Sequence, residues 1–373
     1  MQAALAELVV LDVSGSVATS FCAKQLADYG ARVINIEPDE GFPTRFEPPF
    51  LPTLAAPENS ALHAWLHTNK RSVKANDLST AQLSTLLTSA DLVLDDGDIP
   101  APIQAAWKRP PAIRLSISWY GSTGPYRHFQ GSDAQVFALN AMLRNIGHEA
   151  GPPMIPTGYQ TQVVAGMTAY IAALGHILAV ELGNHTAAVH LETSILESAL
   201  CFTDVAAITF HNTGLQPARL GINRFPPTAP MGVYPCRDGW LGVTVLTPSQ
   251  WHAFCDLLDM QDFRDMPLFQ TAIDRFEAND LIEPVMRERL LQHSAEELFY
   301  RGQAAAIPLA RVPTMEELFA VDQFIERQAF AVAQMTETVQ VQVPSVPFRL
   351  FATPPHFGGQ VARLGEYSED MPA

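Results

Sequence analysis

The chain has 373 residues, 47% of them hydrophobic and 17% charged, which is room for two domains with sizeable cores. Its net charge of −16 excludes nucleic acid and an anionic membrane surface as natural partners. The four cysteines, Cys22, Cys201, Cys236 and Cys255, are scattered without a CxxC pair, so neither a zinc site nor a disulfide framework is expected, and no metal.

The opening MQAALAELVVLDVSGS lacks the basic region of a signal peptide, and a cytoplasmic chain is expected. LVVLDVS (8–14) reads as a buried parallel strand. SFCAKQLADYG (20–30) has helical spacing and ends at Gly30, a natural C-terminal cap. ARVINIEP (31–38) is a second strand, which completes a β-α-β unit. The turn between the first strand and helix reads SGSVATS rather than GxGxxG, which disfavours a dinucleotide site.

A helix follows over 79–90 with Ser79 as its cap, then strands at 91–96 and 111–121, and helices at 134–146 and 161–182. The run 163–180 is nearly long enough to span a membrane, but it is rich in Ala and Gly, contains His176 and ends at Glu181, which favours a buried core helix. A strand at 185–194 and a helix at 195–212 close a doubly wound α/β domain, 1–213.

Residues 214–230 are rich in Pro and Gly and read as a linker. MGVYPCRDGWLGVTVLT (231–247) is a hairpin turning at Arg237-Asp238-Gly239. Helical segments at 249–260, 275–292 and 294–306 complete a smaller α+β domain, 231–325. The last segment, 326–373, contains strand-like text over 339–351.

Several phrases together resemble the family III CoA-transferases, the CaiB/BaiF group. LDVSGSVATSFCAKQLADYGARVINIEP is similar to the family's opening. NKRSV (69–73), ADLVLDD (90–96), GSTGPYR (121–127), HLETSILESAL (190–200), NRFPPTAPMGVYPCRDGW (223–240) and LGEYSED (364–370) follow in family order. The resemblance implies a large Rossmann-like domain, a small α+β domain and a C-terminal segment that returns to the large one. It also implies two chains interlocked as a dimer, either a homodimer or a heterodimer with an active paralogue. No cofactor is held permanently; coenzyme A or an acyl-CoA is a substrate, with a carboxylic acid as the other.

In this family an aspartate attacks the acyl-CoA, giving a mixed anhydride and then an aspartyl-CoA thioester. It lies four residues before a helix glycine. That glycine is Gly166 here, so the catalytic position holds Gln162, and no Asp or Glu lies between Gly151 and Val180 to replace it. A carboxamide is neutral and a poor nucleophile. The racemase branch of the family needs a His and an Asp; the matching residues are Ser132 and again Gln162, with Asp133 at a family-typical acidic position. Asp133 reads equally as a catalytic group and as a hydrogen-bonding one, and Tyr159 and Gln160 either line the cleft or begin a capped helix.

The resemblance places CoA against Val17, Ala18, Arg45, Asn69, Lys70 and Arg71, the last four of which read more plainly as surface or turn residues. Other basic contacts of the family are missing. Pro38 and Leu78 stand at two of them, and the acidic loop with Asp95, Asp96 and Asp98 would repel phosphate. His128 and His148 read as surface histidines, and Glu192 and Glu197 as charges at a helix N-terminus.

Two functions follow: a CoA-transferase-class enzyme, or a catalytically degenerate homologue that serves as a non-catalytic subunit or a ligand-binding protein. A lyase, isomerase or hydratase using Asp133 or a histidine as base has no other support in the residues.

Overall fold

A computed structural model describes residues 2–108, 112–184, 188–216 and 218–371. Contacts divide the chain into two compact units. The larger holds Met1–Met142, Ile155–Gly214 and Val321–Ala373; the smaller holds Leu143–Met154 and Leu215–Ala320.

The larger unit is built on six parallel strands: β1 (Val9–Asp12), β2 (Arg32–Glu37), β3 (Lys70–Lys74), β4 (Leu92–Asp95), β5 (Ile113–Ser118) and β6 (Val189–Ser194). Their order is β3-β2-β1-β4-β5-β6, the doubly wound Rossmann order. The helices are α1 (Val17–Asp28), α2 (Ala61–Leu66), α3 (Thr80–Ser89), α4 (Ala101–Ala106), α5 (Asp133–Leu139), α6 (Gln160–Glu181), α7 (Ile195–Ser198) and α8 (Asp204–Thr213).

Successive strand residues point to opposite faces. Val10, Leu92 and Leu115 therefore pack on one face with Ala18, Cys22 and Leu26 of α1 and Ala165, Ala169 and Tyr170 of α6. Leu11, Ile34 and Val93 pack on the other with Leu83 and Leu86 of α3 and Ile103 of α4. Gly166 lets α1 and α6 approach closely: a Cβ there would lie 2.7 Å from the Ala18 carbonyl oxygen.

The smaller unit carries the antiparallel strands β7 (Met231–Cys236), β8 (Gly239–Thr244) and β9 (Leu309–Arg311). Its helices are α9 (Pro248–Leu257), α10 (Gln261–Arg264), α11 (Ala272–Glu277), α12 (Asn279–Leu290), α13 (Ala295–Ala304) and α14 (Met315–Leu318). Trp251, Phe254, Phe269, Ile282 and Leu298 fill its core. The chain then re-enters the larger unit with α15 (Asp322–Glu326) and the three-stranded sheet β11-β10-β12, formed by β10 (Phe330–Gln334), β11 (Gln340–Pro344) and β12 (Gly359–Gln360). Ala333, Val343 and Val361 of this segment pack on Ala64 of α2.

The α/β architecture, with its smaller antiparallel sheets, follows the sequence reading, and details differ. NKRSV supplies the edge strand β3, which the hydropathy pattern does not reveal. The helix expected over 195–212 breaks into α7, a 3-10 turn over 199–203 and α8. The helix expected over 134–146 ends at Leu139, and Ala141 takes a positive φ of 64°. The expected strands at 111–121 and 185–194 begin in part outside the described residues. Helix α6 is long and apolar enough to cross a membrane by composition, with mean hydropathy 1.9 over its apolar window, yet only 28% of that window is buried. Gln162, Ala165, Gly166, Ala169, Tyr170 and Ala173 form one inward stripe, while Ile171, Leu178 and Leu182 are exposed.

Candidate functional site

Gln162, the residue the sequence resemblance sets at the family's catalytic position, lies in the first turn of α6. Tyr159 precedes the helix and makes no capping bond from its side chain. The free amides of the turn are met instead from α5. Asp133 Oδ1 accepts from Thr161 N at 2.8 Å, from Thr161 Oγ1 at 2.7 Å and from Gln162 N at 3.4 Å. Asp133 Oδ2 accepts from Gln162 Nε2 at 2.9 Å. A carboxylate held at a helix N-terminus is favoured by the dipole as well as by these bonds. The Gln162 amide is buried and donates to a carboxylate, which a carboxylate at position 162 could not do.

Tyr159 turns its phenol to a different acid. Its Oη donates to Glu47 Oε2 at 2.9 Å. Burial, the Glu47 bond and the nearby Glu47 and Asp133 charges push the phenol up to about 12, so it stays a donor at neutral pH. Tyr159 also belongs to an apolar cluster with Val17, Phe21, Trp65, Val163 and Met167. The amino acid sequence singles out Tyr159, Gln162 and Asp133. It gives no sign of Glu47, which lies 112 residues from its partner.

The residues expected at CoA divide into three groups. Val17 and Ala18 open α1, capped by Ser16, and are buried where α1 crosses α6. Arg45 is fully buried. Its Nε and Nη2 donate to Glu37 Oε2 and Oε1, each at 2.8 Å, and its Nη1 to Glu58 Oε2 at 2.9 Å. Burial opposes its charge, and the Glu37 and Glu58 carboxylates outweigh that and raise the guanidinium above its ordinary value. Lys70 is also buried and donates to the Ser20 carbonyl oxygen at 2.8 Å. Burial lowers its ammonium to about 7.

Asn69 and Arg71 line a polar cavity of about 440 Å³ with Gln360, Arg363, Glu366 and Tyr367 of the returning segment. The Arg71 guanidinium lies 5.4 Å from the centre of the Tyr367 ring. Asn69 Nδ2 is bonded to Asp28 Oδ1 and to the Gly358 carbonyl oxygen.

Beneath these residues runs a buried polar network that the sequence does not announce. Lys24 pairs with Asp28 at 2.7 Å and donates to Thr68. His63 and His67 stack at 4.1 Å and share the Thr44 hydroxyl. Burial, with Arg45 and Lys70 close by, holds both imidazoles well below their usual range, so they are neutral. Spacing of i, i+4 on a short helix was the one available signal.

In the acidic loop, Asp95 is fully buried and bonded by Arg114 Nε at 2.7 Å and Ser116 Oγ at 2.7 Å, so it is not part of a repelling surface. Asp96 accepts from Ser14 Oγ, and Asp98 is exposed. Glu192 is not a helix charge: it lies in β6 and accepts from Ser122 N and Oγ. His128 and His148 are exposed. Among the described residues no cluster of His, Cys, Asp and Glu could hold a metal.

A family model described as CoA-transferase family III matches residues 5–366. The chain belongs to that family. Among curated relatives of this CoA-transferase family member, a probable CoA-transferase of Mycobacterium tuberculosis is 27% identical over 368 residues. That match covers 92% of this chain but 45% of the relative, so the chain spans under half of its length. The succinate–glutarate CoA-transferase of Agrobacterium fabrum is also 27% identical, over 387 residues, with 98% of this chain and 94% of the relative covered. A crystal structure of a CaiB/BaiF family protein from Brucella suis superposes with a TM-score of 0.84 at 21% identity, covering 99% of this chain and 98% of that one, and it shows the same fold. The family reaction is CoA transfer between an acyl-CoA and a carboxylic acid.

Proposed function

We propose that this chain accepts an acyl-CoA and a small carboxylic acid at the head of α6, and that residue 162 takes no covalent part in the reaction. The observation that carries this is the Gln162 amide bonded to Asp133 at 2.9 Å. A neutral amide spent on a half-buried acid is a structural link, not a nucleophile. The likeness to a succinate–glutarate CoA-transferase supports a dicarboxylate as the acid.

The nucleotide end of CoA is held weakly in this reading. Two of the cations expected there, Arg45 and Lys70, face inward, and Arg71 is the exposed one of the three. Calorimetry with CoA and with succinyl-CoA tests it. Saturable binding weaker than about 10 μM is expected, against roughly −7 kcal/mol for that constant. Absence of saturable binding at millimolar ligand would refute the reading.

The buried cations and the amide at 162 also favour a second reading, a non-catalytic subunit paired with an active paralogue. Exposed Ile171 and Leu178 on α6 and Leu182 just after it, with Val205, Ile208 and Phe210 on α8, supply an apolar face that a second chain, identical or paralogous, would cover. A cytoplasmic location belongs to either reading. Recovery of a second family member with this chain from its host, and turnover by the mixed dimer alone, would select the subunit role.

A further inference from the structure

The family reaction needs a carboxylate beside the acyl-CoA, and the first turn of α6 has one within reach that the chain brings from elsewhere. Glu47 follows the 3-10 turn Pro43–Phe46. Its backbone is fixed on both sides: its N–H donates to the Thr44 carbonyl oxygen, and its own carbonyl accepts from Ser60 Oγ at 2.6 Å. Ser60 in turn caps α2. The side chain is half-buried and points at α6, where Tyr159 Oη donates to Oε2. Tyr159 is the residue immediately before α6, three positions ahead of Gln162.

Glu47 differs from Asp133 in what its oxygens already do. Asp133 accepts four hydrogen bonds from α6 and is a cap. Among the bonds of the described residues, Glu47 accepts one on its side chain, at Oε2. Phe46 and Phe50, on either side of it, are 47% and 49% exposed. Exposed aromatics flanking a half-buried acid make a surface suited to the apolar part of an acyl group.

We infer that Glu47 is the nucleophilic carboxylate of this chain, with the Tyr159 phenol as its orienting donor. The inference rests on the reading that the head of α6 takes acyl-CoA. Each step balances without a co-reactant. A Glu47 carboxylate oxygen attacks the thioester carbonyl carbon; the C–S bond breaks and CoA leaves as thiolate, giving an acyl-glutamyl anhydride. The thiolate attacks Glu47 Cδ and expels the first acid as its carboxylate, which leaves a glutamyl-CoA thioester. The second acid attacks Cδ, the thiolate leaves again, and its attack on the new acyl carbon releases the Glu47 carboxylate and the product thioester. The phenol, already 2.9 Å from Oε2, is placed to donate to charge developing on the glutamyl oxygen.

The test is hydroxylamine trapping. The whole chain is incubated with succinyl-CoA or acetyl-CoA, quenched with hydroxylamine and mapped by peptide mass spectrometry. A hydroxamate at residue 47 is expected, absent in Glu47→Gln and reduced roughly 10²-fold in rate in Tyr159→Phe; Glu47→Asp, which keeps a carboxylate, restores part of the adduct. Circular dichroism and CoA calorimetry on each variant separate loss of chemistry from loss of fold. A hydroxamate at any other residue, no hydroxamate with either donor, or undiminished CoA exchange in Glu47→Gln overturns the assignment. If CoA still binds in those cases, the acyl-CoA reading survives and Glu47 merely fastens its loop to α6. If CoA does not bind, both fall.

Discussion

The assignment of Asp133 as the cap of α6 is open to a direct energetic test. In Asp133→Ala the helix loses its acceptor for Thr161 N and Gln162 N, a capping loss of about 1 kcal/mol. Thr161 Oγ1 and Gln162 Nε2 lose their partner as well, and Thr161 is fully buried. An unsatisfied buried donor costs about 1–3 kcal/mol, less where water can enter beside the half-buried acid. The total is about 3 kcal/mol, or roughly 6–12 °C in the melting temperature of a unit this size. Urea unfolding followed by tryptophan fluorescence measures the loss, and amide hydrogen exchange at residues 161–164 locates it. A double-mutant cycle with Gln162→Ala should return a coupling of about 1–2 kcal/mol. A loss under about 0.5 kcal/mol, with unchanged exchange in the first turn of α6, would refute the capping role and return Asp133 to the catalytic candidates.

Lys70, lowered to about 7 by burial, binds fewer protons folded than unfolded between that value and its ordinary 10.5. Its contribution to stability therefore rises with pH across that window, and Lys70→Met should flatten the rise and be relatively stabilised below pH 7; parallel wild-type and variant curves would contradict it. Gly166→Ala places a Cβ 2.7 Å from the Ala18 carbonyl oxygen and 3.2 Å from Phe21 Cβ, an overpacking worth about 1–3 kcal/mol of destabilisation. Gly175→Ala on the same helix meets nothing within 4 Å and should stabilise by about 0.5–1 kcal/mol; thermal melts in which the two behave alike would refute the close crossing of α1 and α6.

What could be read in advance follows from how local each cause is. The unit β1-α1-β2 is written in alternating apolar residues and a terminating Gly30, and the cap of α3 in Ser79 and Gln82, which form a capping box. Strand β3 is not written that way: of Lys70, Arg71, Ser72, Val73 and Lys74, one residue is apolar, and Lys70 and Ser72 are buried by hydrogen bonds instead. Arg45 has the sequence of a surface cation, and only the fold brings Glu37 and Glu58 around it. The apolar run of α6 looks uniformly interior, while tertiary packing covers one stripe of it. Glu47 carries no local mark, because its meaning depends on Tyr159.

These placements also bear on how the family chemistry could be restored. Introducing an aspartate at position 162 sets a second carboxylate against Asp133, where the amide now donates at 2.9 Å. Like charge there raises the pKa of one of the pair, and Asp133 loses the donor that Gln162 now supplies. Freeing Arg45 for a phosphate would strand Glu37, which is fully buried, at a cost of about 3–5 kcal/mol for a broken buried pair. The charges that could serve CoA at these positions are committed to the fold, and single substitutions cannot release them. Glu47 is bound by none of these commitments: among the described residues its one side-chain hydrogen bond is from a phenol that keeps its proton at neutral pH. In the proposed reading, the carboxylate that acts on acyl-CoA therefore comes from the loop before α2 and not from the first turn of α6.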